Sequence, residues 1–278
     1  MKTAYEYRAH HPNVAPLRRM RANLIIGDGG APSRSSIASA LKRCGVELAS
    51  KGYDFTVIVG GDGTFFDNAL QHRDAPLLFV RKGAASGAGS SMRHGFTACI
   101  GLRDLPAMLR RISSGSAAVI NEPILELRYD GDTYRSIGDF FVERGAVKQA
   151  VRYAIAIVDG SSRFDSSCIS NGFIVTTPMG STGYYSYIDV LNGREPRKIS
   201  GIGIAHILPT RIVDRLNGRR VKPMVRRVFS TKARVVVRMQ RDVRQYMYGA
   251  SGVSSGIPIE VGKPMSFRIS EESVRVFS

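Results

Sequence analysis

The stretch Asp54-Phe-Thr-Val-Ile-Val-Gly-Gly-Asp-Gly-Thr-Phe-Phe-Asp67 decides the fold of this chain. Its β-branched apolar run ends at Gly60-Gly61-Asp62-Gly63-Thr64, and a helix-compatible segment follows up to Leu70. This order predicts a buried strand that leads through a glycine-rich turn into a helix N-terminus, where α/β proteins usually bind phosphates. The glycines let a phosphate approach the backbone, and Thr64 offers a hydroxyl. The same residues also suit a purely structural turn, and that alternative stays open.

Asp62 is the unusual residue of this turn. A carboxylate repels bare phosphate, so it needs a task such as holding a metal ion or taking a proton from an attacking hydroxyl. We therefore take Asp62 as the candidate catalytic residue. The candidate phosphate-binding residues are Gly60, Gly61, Gly63 and Thr64.

A second stretch, Ser170-Asn-Gly-Phe-Ile-Val-Thr-Thr-Pro-Met-Gly-Ser-Thr-Gly-Tyr-Tyr185, repeats the pattern of an apolar strand followed by small polar residues. Pro178 ends the strand, and Ser181 or Thr182 is suited to cap a following helix. Hydroxyls and free amides suit phosphate or ribose, and a tyrosine face suits a base. A Ser/Thr-rich loop whose tyrosines pack on the core is the competing interpretation.

Together the two stretches resemble the NAD kinase family, within the superfamily that includes diacylglycerol kinases and phosphofructokinases. The family's Gly-Gly-Asp-Gly-Thr motif is intact at 60–64. Its second motif, Asp-Gly, a short apolar strand and Thr-Pro-Thr-Gly-Ser-Thr-Ala-Tyr, is matched by Asn171-Gly172 and by Thr177-Pro-Met-Gly-Ser-Thr-Gly-Tyr184. The resemblance covers roughly residues 22–278 and is strong only in these two motifs.

The resemblance implies a reaction and a set of roles. The γ-phosphoryl group of ATP would be transferred to the 2′-hydroxyl of NAD, giving NADP, with Asp62 activating that hydroxyl and Mg²⁺ bridging the phosphates without protein metal ligands. The partners would be small-molecule substrates, and family members are usually homo-oligomers. The candidate acceptor-binding residues are Asp139, Asn171, Ser181, Thr182, Gly183 and Tyr184.

The departures from the family pattern concern the acceptor. The usual Asn-Glu or Asn-Asp pair is best matched by Gly138-Asp139, an aspartate is replaced by Asn171, and an alanine by Gly183. Lys82–Ser91 replaces a Gly-x-Leu-Gly-Phe segment, and an expected Asp-Gly-Gln appears as Tyr248-Gly249-Ala250. Two alternatives therefore stay open: a kinase of the same superfamily for another hydroxylated metabolite (a sugar, polyol or nucleoside), and a nucleotide- or nucleic-acid-binding protein without kinase activity.

Composition favours a small cytoplasmic enzyme. The 278 residues are 43% hydrophobic and 23% charged, as in ordinary globular proteins. No apolar run reaches the ~18 residues that a membrane span needs, and the N-terminus lacks the apolar region of a secretory signal. Cys44, Cys99 and Cys168 are far apart and form neither a metal-ligand pattern nor a disulfide framework, which predicts reduced, buried thiols.

Net charge is the compositional outlier, with 40 basic and 23 acidic residues and a formal charge of +17. The densest cluster lies at Arg219-Arg220, Lys222, Arg226-Arg227, Lys232 and Arg234. A balance this basic suggests polyanionic partners. Because the cluster contains no recognisable nucleic-acid-binding module, we interpret it as solvated strand and loop faces and expect no nucleic-acid or membrane partner.

The pattern along the chain predicts an α/β protein with two domains. Strands at 22–26, 56–59 and 76–80 and helices at 33–49, 65–72 and 104–113 predict an N-terminal doubly wound α/β domain, residues 1–104. Short β-rich runs, among them 124–129, 140–143, 151–158, 173–177 and 232–239, predict a β-rich C-terminal domain, residues 105–278. The site would then lie in the cleft between the two. His206 is interpreted as a core histidine rather than a catalytic base.

Overall fold

The computed structural model describes residues 19–27, 33–81, 99–146, 148–241, 244–253 and 255–278. The segment Lys82–Ser91 lies outside the described residues.

The N-terminal part is a parallel sheet with helices on both faces. Its strands are β1 (Met20–Ile26), β2 (Val46–Leu48), β3 (Phe55–Gly60), β4 (Leu77–Arg81) and β5 (Cys99–Gly101), and its helices are α1 (Arg34–Arg43), α2 (Asp62–Ala69) and α3 (Leu105–Ser113). The strands pair in the parallel order β2-β1-β3-β4-β5. Helices α1 and α3 pack on one face and α2 packs on the other. The predicted doubly wound α/β arrangement is confirmed.

Two of the predicted helix bounds are wrong. We expected a helix over 33–49, but α1 ends at Arg43 because Gly45 adopts φ +75°, which is a left-handed conformation that breaks the helix, and Val46–Leu48 then pairs with β1. We expected the next helix to begin near residue 65, but α2 begins at Asp62. The glycine-rich motif therefore supplies the first helical turn rather than a loop before it.

The C-terminal part is β-rich, as predicted. Its strands are β6 (Val119–Tyr129), β7 (Asp132–Ser136), β8 (Asp139–Arg144), β9 (Val151–Asp159), β10 (Ser162–Ser170), β11 (Gly172–Thr176), β12 (Ile202–Ile207), β13 (Arg211–Leu216), β14 (Arg219–Val221), β15 (Arg226–Phe229), β16 (Arg234–Met239), β17 (Gln245–Tyr248), β18 (Ile257–Pro258) and β19 (Pro264–Phe277), and its one described α-helix is α4 (Tyr187–Leu191). Within the described residues, β15-β12-β11-β8-β17-β18 form one antiparallel sheet. That sheet packs on a second one, containing β13-β10-β9-β16-β19, through a core to which Phe140, Phe173, Tyr153 and Phe267 belong.

Strand β19 joins the two parts of the molecule. Its first half pairs with β16, and near its end Val276 pairs with Leu77 of β4 in parallel. The large sheet consequently runs without interruption from the N-terminal strands into the C-terminal sandwich. Helix α3 begins at the predicted boundary, and its residues Leu105 and Leu109 share a core with the N-terminal strands and with Phe277. The division at residues 104 and 105 stays a prediction.

In the ranges that the structure describes, no helix is long and apolar enough to cross a membrane. The three cysteines are free thiols. Cys168 is buried as expected, but Cys44 and Cys99 are only half-buried.

Candidate active site

The Gly-Gly-Asp-Gly-Thr motif forms the junction between strand β3 and helix α2. Gly61 is extended, with φ −92° and ψ −179°, and its carbonyl accepts the first helical hydrogen bond from the Phe65 amide at 3.2 Å. A Cβ at Gly61 or Gly63 would contact nothing within 4 Å, so this side of the turn is open. The amides at the start of α2 are unsatisfied within the helix, and an open helix start of this kind attracts anions.

Thr64 is held over the strand ends. A Cβ at Gly60 would lie 2.6 Å from Thr64 Oγ1, and one at Gly27 would lie 2.2 Å from it. Glycine is therefore required at both positions for the threonine side chain to sit against the backbone. Two of the motif's glycines are open to a ligand, while Gly60 is needed for packing.

Asp62 forms an ion pair with Arg81, the last residue of β4. Gly60 and Arg81 are paired in the parallel sheet, so their strands end side by side. The Asp62 side chain is 46% exposed and that of Arg81 only 14% exposed. The carboxylate thus stays accessible to a ligand at the helix start while a largely buried guanidinium fixes its position.

The second motif follows β11 as two turns of 3₁₀ helix, Gly180–Thr182 and Tyr184–Ser186, before α4. Thr177 Oγ1 donates to the Ile137 carbonyl at 2.6 Å and accepts from the Gly180 amide at 3.1 Å. A Cβ at Gly180 would lie 2.5 Å from the Gly138 carbonyl oxygen. Glycine at 180 therefore lets the second motif lie against the Gly138-Asp139 segment.

The two motifs meet through a shared core. Phe65 of α2 and Met179 of the second motif belong to one buried cluster, and a Cβ at Gly138 would lie 3.2 Å from the Phe66 ring. The segment after β17 closes the same region, since Ser251 Oγ donates to the Phe66 carbonyl at 3.2 Å. The structure therefore brings the β3–α2 junction, the second motif and the Gly138-Asp139 segment together.

The predicted acceptor residues of the second motif differ in accessibility. Ser181 is buried, its hydroxyl donating to the Pro178 carbonyl at 2.7 Å and accepting from the Ile199 amide at 3.1 Å, so its hydroxyl is occupied by the fold. Thr182 is half-buried, and Gly183 and Tyr184 are exposed. These last three form the accessible part of the motif.

Tyr184 belongs to an aromatic cluster on the outer face of the six-stranded sheet. Its hydroxyl donates to Glu143 Oε1 at 2.6 Å, and its ring contacts Phe141 edge to face with centroids 5.4 Å apart. Tyr248 stacks on Phe141 at 5.2 Å. Burial first, and the Glu143 carboxylate next, raise the pKa of Tyr184, so the phenol remains a hydrogen-bond donor at neutral pH.

Asp139 and Asn171 lie at different ends of the same strand pair. Asp139 pairs with Thr176 across β8 and β11, whereas Asn171 precedes Gly172, the partner of Glu143. Five residue steps along the strands separate these positions, or about 17 Å, so the structure does not bring the two side chains together. Burial raises the pKa of Asp139 to about 7, which makes this carboxyl part acid and part carboxylate at neutral pH.

Sequence reasoning missed three residues of this region: Arg81, Phe141 and Glu143. Arg81 had a detectable signal, because the ends of adjacent parallel strands meet at one sheet edge. Phe141 and Glu143 depend on which face of β8 points outward and on its register with β17, which no local pattern specifies. Tyr248, singled out in the sequence only as part of Tyr248-Gly249-Ala250, proves to stack on Phe141.

His206 is a core residue, as predicted. It is buried, and its Nδ1 lies 2.8 Å from the Tyr153 hydroxyl. Burial lowers the pKa of His206 to about 4, so the ring is neutral at physiological pH.

Comparisons of sequence with known proteins find similarity to NAD kinases. No family model matches the chain. The chain is 27% identical over 141 residues to an NAD kinase of Clostridium botulinum (strain Loch Maree / Type A3), covering 49% of this chain and 46% of that protein. It is 30% identical over 145 residues to an NAD kinase of Koribacter versatilis, covering 50% and 47%, and 28% identical over 182 residues to one of Clostridium perfringens, covering 62% of each. The matched part thus spans about half the length of the first two curated relatives.

Solved structures match over nearly the whole chain. An NAD kinase from Archaeoglobus fulgidus in complex with ATP has a TM-score of 0.64 at 19% identity and covers 93% of this chain and 94% of that one. Yeast NADH kinase complexed with NADH has a TM-score of 0.65 at 12% identity and covers 93% and 83%. An α/β unit joined to a β-sandwich in this way defines the NAD kinase fold. The sequence matches, at 27–30% identity over about half to three fifths of the chain, likewise relate it to NAD kinases.

Proposed function

We propose that this protein transfers the γ-phosphoryl group of ATP to the 2′-hydroxyl of NAD, with Asp62 activating that hydroxyl. The observation that carries the proposal is the packing of the two motifs on each other: Phe65 of α2, the helix whose open start carries the accessible Asp62 carboxylate, shares a buried cluster with Met179 of the second motif. The relatives it resembles are NAD kinases. Phosphoryl transfer depends mainly on positioning and charge stabilisation, which this arrangement of amides and one carboxylate is suited to supply.

Each part of the region would contribute one step. The open amides at Gly61–Gly63 would hold the nucleotide phosphates, and Asp62, oriented by Arg81, would accept the proton of the acceptor hydroxyl. The aromatic cluster of Tyr184, Phe141 and Tyr248 offers faces for a base. In the described residues no group of three or more His, Cys, Asp or Glu side chains is placed to hold a metal. Asp62 with nucleotide phosphates suits Mg²⁺, which commonly takes one or two carboxylates plus phosphates and which would neutralise phosphate charge.

The acceptor has a second candidate. Gly138 and Asn171 replace residues that the family uses near NAD, and Asp139 has a pKa near 7 rather than that of an ordinary carboxylate. These changes favour, as the alternative, another hydroxylated acceptor such as a sugar, polyol or nucleoside. A cytoplasmic location and a homo-oligomeric state remain predictions from the sequence and the family resemblance.

The test is an assay of the purified full chain with ATP, Mg²⁺ and NAD, in which an NADP-specific dehydrogenase reports NADP. Formation of NADP supports the proposal. ATP consumption only with a sugar, polyol or nucleoside would replace NAD by that acceptor, and no transfer to any of them, with polyphosphate also tried as donor, would refute kinase activity.

A restoring variant tests the acceptor side directly. Gly138→Asn combined with Asn171→Asp puts back the family residues, and the new Cβ at 138 requires the Phe66 ring to give way by only a few tenths of an ångström. We expect a lower KM for NAD. An unchanged KM would show that these positions do not contact NAD.

A further inference from the structure

The outer face of the large sheet, on the side of the sandwich away from the candidate active site, is strongly basic. Along β9, alternate residues face the core (Tyr153, Ile155) or the outside (Arg152, Ala154). Strand register then places further residues on the same outer side. We call this surface the arginine face, and it consists of Arg152, Ala154, Ala156, Val158, Arg163, Asp165, Ser167, Ile169, Arg211, Val213, Arg215, Arg220, Arg234, Val236 and Arg238.

Most of its charge is not neutralised. In the described part of the chain, the side chains of Arg152, Arg211, Arg215, Arg220, Arg234 and Arg238 form no ion pair and no hydrogen bond. The face has one carboxylate, Asp165, which is already paired with Arg163 at 3.0 Å. Some arginines elsewhere in the sandwich are paired, for example Arg226 with Asp189 at 2.5 Å. The six guanidinium groups named above share one surface.

Strand pairing places some of these like charges next to each other. Arg215 and Arg220 stand directly opposite each other on β13 and β14, and like charges in such a pair destabilise a sheet. Arg152 and Arg211 both flank Ile169 on neighbouring strands. An anion bound between these side chains would relieve both repulsions.

The shape of the face indicates an extended ligand. The arginines border a floor of short side chains such as Ala154, Ala156 and Ser167, and a groove of about 360 Å³ runs between Arg152, Arg211 and Arg215. The charges spread across five adjacent strands and six residues of strand length, which is roughly 19 by 20 Å. A small phosphate compound would need charges converging on one point. A duplex, with one charge per ~1.7 Å of axis, matches an array of this extent.

The side chains of the arginine face also limit which parts of a ligand it can recognise. None of the described residues of the arginine face is aromatic, so it offers no platform on which bases can stack. Guanidinium groups bind phosphate oxygens through paired hydrogen bonds. A second copy of this chain, placed on the face by a two-fold axis, would set arginines against arginines.

We propose that the arginine face binds the phosphate backbone of double-helical nucleic acid, without reading its sequence. This activity goes beyond the proposed kinase function and uses none of its residues. With up to six phosphate contacts, the logarithm of the binding constant should fall with the logarithm of salt concentration at a slope of about −5.

The experiment measures fluorescence anisotropy of labelled RNA and DNA duplexes with the full chain, over about 50 to 200 mM salt. The face variant combines Arg152→Gln, Arg211→Gln and Arg215→Gln, and the control removes three equally exposed charges elsewhere through Arg43→Gln, Arg110→Gln and Arg194→Gln. We expect the face variant to bind about 10²-fold more weakly near 0.1 M salt, with a slope smaller by about 3. The control should bind like the wild type.

A second face variant, Arg234→Gln with Arg238→Gln on β16, should also weaken binding and guards against misfolding of the first. Circular dichroism checks that each variant is folded. Equal losses in the face and control variants would overturn the proposal, because they would show a general effect of net charge. So would affinity that depends strongly on base sequence, absence of duplex binding near 0.1 M salt, or binding of inorganic polyphosphate but not of duplex.

Discussion

Asp62→Asn separates a catalytic role of this carboxylate from a structural one. The substitution removes the charge and the ion pair with Arg81 while keeping the size of the side chain. Because the carboxylate is 46% exposed, the ion pair contributes only about 0.2–1 kcal/mol to stability. The position in the first turn of α2 adds about 0.3–1 kcal/mol through the helix dipole. We therefore expect a loss of less than about 2 kcal/mol in the free energy of unfolding.

The expected effect on turnover is larger. Loss of a general base lowers kcat by about 10²-fold or more, which corresponds to about 2.7 kcal/mol in the activation free energy. The measurements are NADP formation, or phosphorylation of whichever acceptor the panel identifies, and urea unfolding of the same preparations. Asp67→Asn, an exposed carboxylate further along the same helix, is the matched control and should retain wild-type turnover. Near-normal turnover in Asp62→Asn would remove this residue from the mechanism, and an equal loss in Asp67→Asn would reduce its role to general electrostatics.

Three further predictions concern the packing and ionisation of the same region. Gly180→Ala places a Cβ 2.5 Å from the Gly138 carbonyl oxygen and should lower the free energy of unfolding in urea by about 1–3 kcal/mol. The Cβ of Gly183→Ala would lie 3.2 Å from the Gly180 carbonyl oxygen, so this control should lose much less stability. Similar losses in the two variants would contradict the Gly180–Gly138 contact. The pKa of Asp139 is raised to about 7 in the folded protein, so the contribution of this carboxyl group to stability is complete below its ordinary pKa and is lost as pH rises through 7. The stability of Asp139→Asn relative to the wild type should therefore increase between pH 5.5 and 8.5. A constant difference over that range would show that Asp139 titrates normally. Arg226→Met leaves the buried Asp189 carboxylate unpaired and should lower the free energy of unfolding by about 2 kcal/mol. Adding Asp189→Asn to this variant should restore part of the lost stability. If it restores none, the broken ion pair is not the cause of the loss.

The parts of the fold that the sequence predicted are those set by local rules. The β3–α2 junction follows from an apolar run and a glycine turn, and the doubly wound unit follows from alternating strands and helices. The failures have identifiable causes. Val46–Leu48 continues a helical pattern and becomes a strand only because Gly45 ends the helix and β1 offers a free edge. Strand β19 was not predicted because its role, joining the N-terminal and C-terminal parts of the large sheet, comes from pairing with residues more than a hundred positions away.

The candidate site follows the same rule. The half of the site formed by the β3–α2 junction is encoded within residues 60–64, and the structure adds Arg81 as the ion-pair partner of Asp62. Its acceptor half is assembled from β8, β11, β17 and the second motif, so residues such as Glu143 become visible only once strand register is known. A local motif can persist while a surface built from several strands changes residue by residue. Gly138 and Asn171, which depart from the motifs of the NAD kinases that the chain resembles, lie directly before β8 and β11 in this second part.

The excess of basic residues illustrates why composition alone does not identify a partner. The cluster at 219–234 looked like one solvated basic segment, but the structure divides it into two groups with different surroundings. Arg226 and Arg227 are held by the buried carboxylates Asp189 and Asp214, and each lies over an aromatic ring, so their charges serve the fold. Arg220 and Arg234 point the other way, onto the arginine face. Alternation of a strand residue between two faces thus decides whether an arginine stabilises the interior or remains available to a polyanion. This is why the face variants of the nucleic-acid experiment substitute residues of the arginine face and leave Arg226 and Arg227 in place.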